Sequence, residues 1–247
     1  MSHLPSGQHY WLASHLRMCP TATGTVLLDL KRNRYFGLGD KETRAILEVA
    51  KNDLITVTGK TNSNLGYEAI SPQTPRIVQE LTKAGLLSRD PPPRSDIAAI
   101  RVEIDGPMTS IGHELEHIVP LQFIHSHYFL RACIWAWWAV RMRSLYSVSR
   151  ELSRQKRRSS RDFDTQQAID LVCLFRHLRP FVFAAQDQCL FHALALVKFL
   201  SFYKLFPAWV IGVRARPWAA HSWVQQGSLL LDSSPEHVCD FTPILAV

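Results

Sequence analysis

Residues 189 to 200 read CLFHALALVKFL, and residues 207 to 232 read PAWVIGVRARPWAAHSWVQQGSLLLD. In the first stretch Leu190, Ala193, Leu194, Val197, Phe199 and Leu200 cover most of a helical circumference, so a helix starting at Cys189 is expected inside the protein. In the second, the pattern changes to strands over Pro207 to Val213, Ala220 to Gln225 and Ser228 to Asp232, with a short hairpin at Gln226-Gly227. Helices first and an antiparallel sheet afterwards is an α+β arrangement.

Upstream of this stretch, Leu121 to Val148 and Thr165 to Arg179 read as helices, the former rich in Trp. Its most apolar part, Ala132 to Val140, lies between Arg131 and Arg141 and is far shorter than the ~20 residues of a membrane-spanning helix. It reads as a buried or membrane-touching helix and not as an anchor. The run Arg150 to Arg161 reads as a solvated helix face or loop. The segment Asp90 to Arg94 (DPPPR) is the clearest boundary, because consecutive prolines lack amide donors and hold the chain extended. Two domains are expected, residues 1 to 90 and residues 95 to 247.

In the first domain, Tyr10 to Arg17 and Thr25 to Leu30 are β-prone, and Lys31 to Arg34 makes a polar turn before Tyr35-Phe36-Gly37-Leu38. Asp40 can cap a helix over Lys41 to Ala50, with Ala45, Ile46 and Val49 at helical spacing. Thr74 and Pro75 start another, in which Ile77, Val78, Leu81 and Ala84 share a face before Gly85. Three short strands with helices behind them predict a small winged-helix-like module whose sheet has an open edge.

Composition agrees with a folded protein: of 247 residues 47% are hydrophobic, 20% charged and 10% aromatic, too apolar for a disordered chain. The net charge of +7 favours acidic partners, whether anionic peptide, nucleic acid or membrane surface, without choosing among them. Five cysteines without a CxxC pair or a recognisable secretory signal predict reduced thiols and a cytoplasmic protein.

The chemistry-bearing residues gather in the stretch that decides the fold. Cys189 stands at the start of an apolar helix, where unpaired amides and the helix dipole stabilise a thiolate. His221 and Asp232 fall on strands that the hairpin makes neighbours. A thiolate attacks a peptide carbonyl, an imidazole moves the proton to the leaving amine, and a carboxylate fixes the imidazole tautomer. The backbone amide of Cys189, with Gln186 or Gln188 beside it, is the candidate oxyanion donor.

The strings CLFHALALVKFL, WVIGVRARPWAAHSWVQQ and LLLDSSPE resemble the leader-peptidase B proteins of lasso peptide biosynthesis, relatives of transglutaminases and papain-like peptidases. In that resemblance Cys189 matches the nucleophile, His221 the histidine and Asp232 the aspartate of a transglutaminase-like cysteine protease domain with helices packed on an antiparallel sheet. VLLDLKRNRYFGL in the first domain is similar to the PqqD-type leader-recognition module. The resemblance implies a precursor peptide held by its leader, cut after it, and passed to an asparagine-synthetase-like cyclase that closes the macrolactam. It also implies a need for ATP, although the chain has no GxxxxGK[ST] loop, so the nucleotide is assigned to the cyclase. The leader is expected to add a strand to the open sheet edge at Tyr35, Phe36 and Leu38, with Ile77 and Leu81 as the pocket wall.

Three rival readings remain. His113, Glu114 and His117 formally match HExxH, the signature of a zinc metallopeptidase, but Pro120 and Gly112 leave little helix around them. A nucleic-acid-binding regulator lacks its recognition helix, since Thr74 to Ala84 carries only Arg76 and Lys83 together with Glu80. A non-catalytic peptide-binding chaperone would keep leader binding and lose turnover.

Overall fold

A computed structural model describes residues 10–50, 74–91, 97, 108–111, 122–158, 163–181 and 188–247. The chain starts with β1 (Trp11–Leu12), β2 (Leu16–Thr21), β3 (Gly24–Asp29) and β4 (Arg34–Leu38), followed by α1 (Asp40–Val49), α2 (Thr74–Lys83) and β5 (Leu87–Ser88). The strand expected over Tyr10 to Arg17 is broken at Ala13. Its first part pairs with β5 and its second with β3, because the chain turns to serve two sheets.

β2, β3 and β4 form an antiparallel meander in that order. At its second turn Asp29 Oδ1 accepts hydrogen bonds from the amides of Lys31 and Arg32, and Asn33 adopts a left-handed φ of 55°, which asparagine tolerates better than most residues. Strand alternation gives this sheet two buried faces. Leu16, Met18 and Leu27 pack with Ile46 of α1 and Val78 and Leu81 of α2. Cys19, Val26 and Leu28 face the other way, into the larger core built by the rest of the chain. The two cores thus share one sheet as their wall. Pro92 to Arg94, three residues of the expected boundary, lie outside the described residues.

The second part contains β6 (Thr109–Ser110), α3 (Phe123–Met142), α4 (Leu145–Arg158), α5 (Thr165–Leu178), a 3-10 turn (Arg179–Phe181) and α6 (Cys189–Phe202). It ends with β7 (Ala208–Arg214), β8 (Ala219–Gln226), β9 (Leu229–Leu230), α7 (Pro235–Val238) and β10 (Thr242–Ala246). The helix expected over Leu121 to Val148 is two helices. At the break, Asn33 from the β3–β4 turn donates from Nδ2 to the Arg143 carbonyl at 3.0 Å, and its Oδ1 accepts from the Leu145 amide at 2.7 Å. The side chain takes up backbone groups that a continuous helix would have bonded internally. The basic run lies on α4 as far as Arg158.

α6 is buried along most of its length, as its sequence demands, with Ala193, Leu194, Phe199 and Leu200 at 1% exposure or less. It rests on a five-stranded sheet of order β10-β7-β8-β9-β6. The expectation of an antiparallel sheet holds for three of the four pairings, whereas β6 pairs parallel to β9. β6 leaves the sheet into the helical region, and the chain returns only after α3 to α6, a long crossover of the kind that parallel pairing requires. Trp209, Ile211 and Val224 face α6, whereas Val210, Trp223 and Leu230 face Val238 of α7 and Phe241. Both buried indoles are satisfied, Trp209 Nε1 donating to Ser222 Oγ and Trp223 Nε1 to Gln225 Oε1. The outward side of α3 exposes Leu130, Ile134, Trp137 and Trp138, yet no helix among the described residues is long and apolar enough to cross a membrane.

Candidate active site

Cys189 is the first residue of α6, where the amides of the opening turn lack intrahelical partners. Its half-buried side chain lines a cavity of about 150 Å³ together with His192 and Leu196 of α6, Val172 and Arg176 of α5, Arg179, and residues of the β8–β9 region. His221, Ser222, Asp232 and Ser233 are among the latter. Three residues remote in sequence, Cys189, His221 and Asp232, therefore border one small space.

Their approach is not a simple stack on one sheet face. Pairing of Ile211 with Ser222 and of Gly212 with His221 places Ser222 on the α6 side and His221 on the α7 side of β8. The imidazole lies 4.6 Å from the His237 ring and 5.4 Å from that of Phe241, centre to centre, and stacks along the strand on Trp223. It reaches the Cys189 cavity because β9 pairs with β8 at Gln225 and Gln226, leaving the beginning of β8 as an edge around which side chains from both faces can meet. Among the described residues no hydrogen bond joins Cys189 to His221.

Asp232 is half-buried, with its carboxylate turned toward the protein. Its Oδ1 accepts from the Val224 amide at 2.8 Å and from the Ser233 hydroxyl at 3.4 Å. The Ser233 oxygen in turn lies 3.3 Å from His221 Nε2. Asp232 thus addresses the imidazole through a hydroxyl rather than directly. If Ser233 donates its proton to Asp232, its lone pair accepts Nε2–H, which leaves Nδ1 of a neutral His221 as the free base. Burial pushes the Asp232 carboxyl up to about 7 despite the Val224 amide and the nearby Arg176 charge, which pull it down. Burial, then the adjacent His237, holds His221 down to about 4. The resting site is accordingly poised with a neutral imidazole.

The oxyanion candidates divide. Gln188 is the N-cap of α6, exposed, with no hydrogen bond from its side chain to the helix amides. Gln186 lies outside the described residues, as do His113, Glu114 and His117 of the zinc motif. Among the described residues no cluster of three His, Cys, Asp or Glu side chains is arranged to hold a metal.

The leader-binding candidates also divide, along the pleat of β4. Phe36 is exposed and Leu38 partly buried on the face shared with Ile77 and Leu81, of which Leu81 is itself core at 7% exposure. Tyr35 points the other way, against the larger core and the Trp218 ring at 5.3 Å. Burial, and secondarily the closeness of Cys189, pushes its phenol up to about 12. β4 is the edge of its sheet, and its Tyr35 lies close enough to Cys189 to feel it electrostatically.

Sequence reasoning missed Ser233, Arg176, Arg179 and His192. Ser233 follows Asp232 directly and His192 is one helical turn past Cys189, so both carried a positional signal. The arginines carried none, because the α5 to α6 packing that brings them in is a tertiary event. Arg176 donates to the carbonyls of Ile111 and Leu231, tying α5 to the chain ends that follow β6 and β9.

A family model described as Transglutaminase-like superfamily matches residues 128–246, a span that runs from within α3 to the end of β10 and contains every cavity-lining residue named above. No curated protein and no solved structure matches the chain.

Proposed function

With a transglutaminase-like domain at residues 128–246 as the premise, we propose that the protein is a cysteine endopeptidase that removes the leader from a ribosomally made lasso peptide precursor. The observation that carries the peptidase reading is the single cavity shared by Cys189, His221 and Asp232. The superfamily includes cysteine peptidases, and Cys189 opens α6, where the first-turn amides lack intrahelical partners and can face a developing negative charge.

In this mechanism the Cys189 thiol gives its proton to His221 as it attacks the scissile carbonyl. The new C–S bond forms while the carbonyl oxygen takes the negative charge, which the first-turn amides of α6 receive. Imidazolium then protonates the departing amine, and water releases the acyl group by the reverse sequence. Ser233 and Asp232 keep the imidazole oriented. The thiol and ring come together when bound peptide closes the cavity, since catalytic hydrogen bonds commonly tighten only with substrate present.

The leader adds a strand to β4, in a PqqD-like first unit, with Phe36, Leu38 and Ile77 beside it. Tyr35 and Trp218 then form the threshold between that strand and the thiol. The freed core passes to an asparagine-synthetase-like cyclase, which also accounts for any ATP requirement, and the work takes place in the cytoplasm.

The test is incubation of the purified protein with the candidate precursor peptide, read by mass. A single shorter product, lost after thiol alkylation and kept after chelation, is expected. Unchanged peptide mass removes the peptidase reading and leaves a leader-binding chaperone; loss on chelation moves the chemistry to His113, Glu114 and His117.

A further inference from the structure

A second cavity, of about 760 Å³, adjoins the first. Arg176, Arg179, His221, Asp232 and Ser233 line both, so they form the wall between the thiol and the larger space. Among the described lining residues the carboxylate is Asp232, already bonded to the Val224 amide. Against it stand two guanidinium groups and the rings of His221 and His237.

The arginines are not equivalent. Both terminal nitrogens of Arg176 donate to backbone carbonyls. Arg179, half-buried, has no hydrogen bond or ion pair among the described residues. Its charge is felt at the first cavity, where it is second only to burial in holding His192 down to about 4. Among the described residues nothing competes with a ligand for this charge, and a group of opposite charge is the partner that a guanidinium binds best. A planar fork of donors, with Ser110 and Ser234 hydroxyls in the same cavity, suits a carboxylate better than any neutral group.

We infer that Arg179 anchors a carboxylate-binding subsite next to Cys189, so that the peptide cut here presents a carboxylate beside the scissile bond. The inference deepens the cysteine-peptidase reading and rests on it for the word peptide. The carboxylate has two possible sources: an Asp or Glu side chain, or a chain terminus.

The charge of the subsite can be read without knowing the substrate. The full-length protein is treated with iodoacetate or iodoacetamide, reagents of similar size that differ in charge, and alkylation is followed residue by residue by peptide mass mapping. Exposed Cys239 is the internal reference. The iodoacetate-to-iodoacetamide rate ratio at Cys189 is expected to exceed that at Cys239 by roughly 3- to 10-fold at low salt, and to shrink as salt is raised. Arg179→Gln should bring the ratio down to the reference, and Arg179→Lys should retain part of it. Equal ratios at the two cysteines in the unaltered protein, or an unchanged ratio in a folded Arg179→Gln protein, overturn the subsite. If Arg179→Gln does not fold, the salt dependence in the unaltered protein decides.

The source follows from peptide cleavage. Loss of cutting on Asp→Asn or Glu→Gln exchange beside the bond assigns the side chain, and loss on terminal amidation assigns the terminus. Cutting indifferent to both overturns the carboxylate. A charge preference at Cys189 without cleavage of any peptide sinks the peptidase reading and leaves the subsite standing, whereas cleavage without the preference does the reverse.

Discussion

The two faces of β8 differ in kind. Toward α6 the strand presents Ser222, fixed by the Trp209 indole, and Val224, locked in the large core. Toward α7 it presents His221 and Trp223 in an aromatic group with His237 and Phe241, beside an open cavity. Cys189 belongs to the first side and His221 to the second. A packed sheet would keep them apart. What unites them is the shortness of β9, which exposes the edge of β8 where His221 stands. The comparison teaches that this site is made by where a strand loses its neighbour as much as by which residues the strand carries.

The comparison is broken most completely by removing either chemical group. Cys189→Ala and His221→Ala should each lower the cleavage rate by roughly four orders of magnitude, because members of such a set act as a unit. Binding of the leader peptide, measured by titration with the uncut precursor, should stay within about twofold in both variants, since β4 belongs to another sheet. Affinity lost in parallel with turnover would end the division of labour between the two sheets.

The α7 face can be strained directly. A Cβ on Gly212 would come within 2.6 Å of the Trp223 ring and 2.8 Å of Phe241, with no flexible chain end to give way. Gly212→Ala should cost about 1–3 kcal/mol of stability, read as a lower denaturant midpoint. Because His221 packs on the same rings, turnover of the folded fraction should fall as well. An unchanged midpoint would mean that this face is loosely packed.

Ser233→Ala isolates the hydroxyl that links the two sides. It should reduce turnover by roughly tenfold while leaving the denaturant midpoint nearly unchanged, the expected effect of losing an orienting group rather than the base. A loss as large as that of His221→Ala would make Ser233 part of the reacting set.

The smallest effect is on the pH dependence of stability. His221 is held down to about 4 against an ordinary 6.5. The unfolded chain therefore binds a proton that the folded chain refuses, and this contribution is full above 6.5 and lost as pH falls toward 4. Asp232, pushed up from 3.8 to about 7, works in the opposite sense, its contribution being full below 3.8 and lost as pH rises through 7. Asp232→Asn keeps an acceptor for the Val224 amide and removes only the opposing slope. Its melting midpoint should thus fall more steeply than that of the unaltered protein between about pH 7 and 4. Parallel curves would show that Asp232 does not titrate in this window.

Much of the architecture was legible in the residues alone, because it follows from local period and turn chemistry. The all-round apolar pattern of Leu190 to Leu200 demanded a buried helix, and α6 is one. Alternation and the polar turns at Lys31 to Arg34 and Gln226-Gly227 marked the hairpins β3–β4 and β8–β9. The residue types at Cys189, His221 and Asp232 named a chemistry before any geometry was available.

Other features were decided only when distant parts of the chain met. Nothing between Leu121 and Val148 announces the end of α3 at Met142; the Asn33 side chain, from a turn more than a hundred residues earlier, settles it there. The parallel position of β6, the division of the β4 side chains between two cores, and the placing of Arg179 beside the thiol arise in the same way. Period and turn propensity act over a few residues and are written into the chain. Which backbone group finds which side chain across the fold depends on packing, and packing exists only in three dimensions.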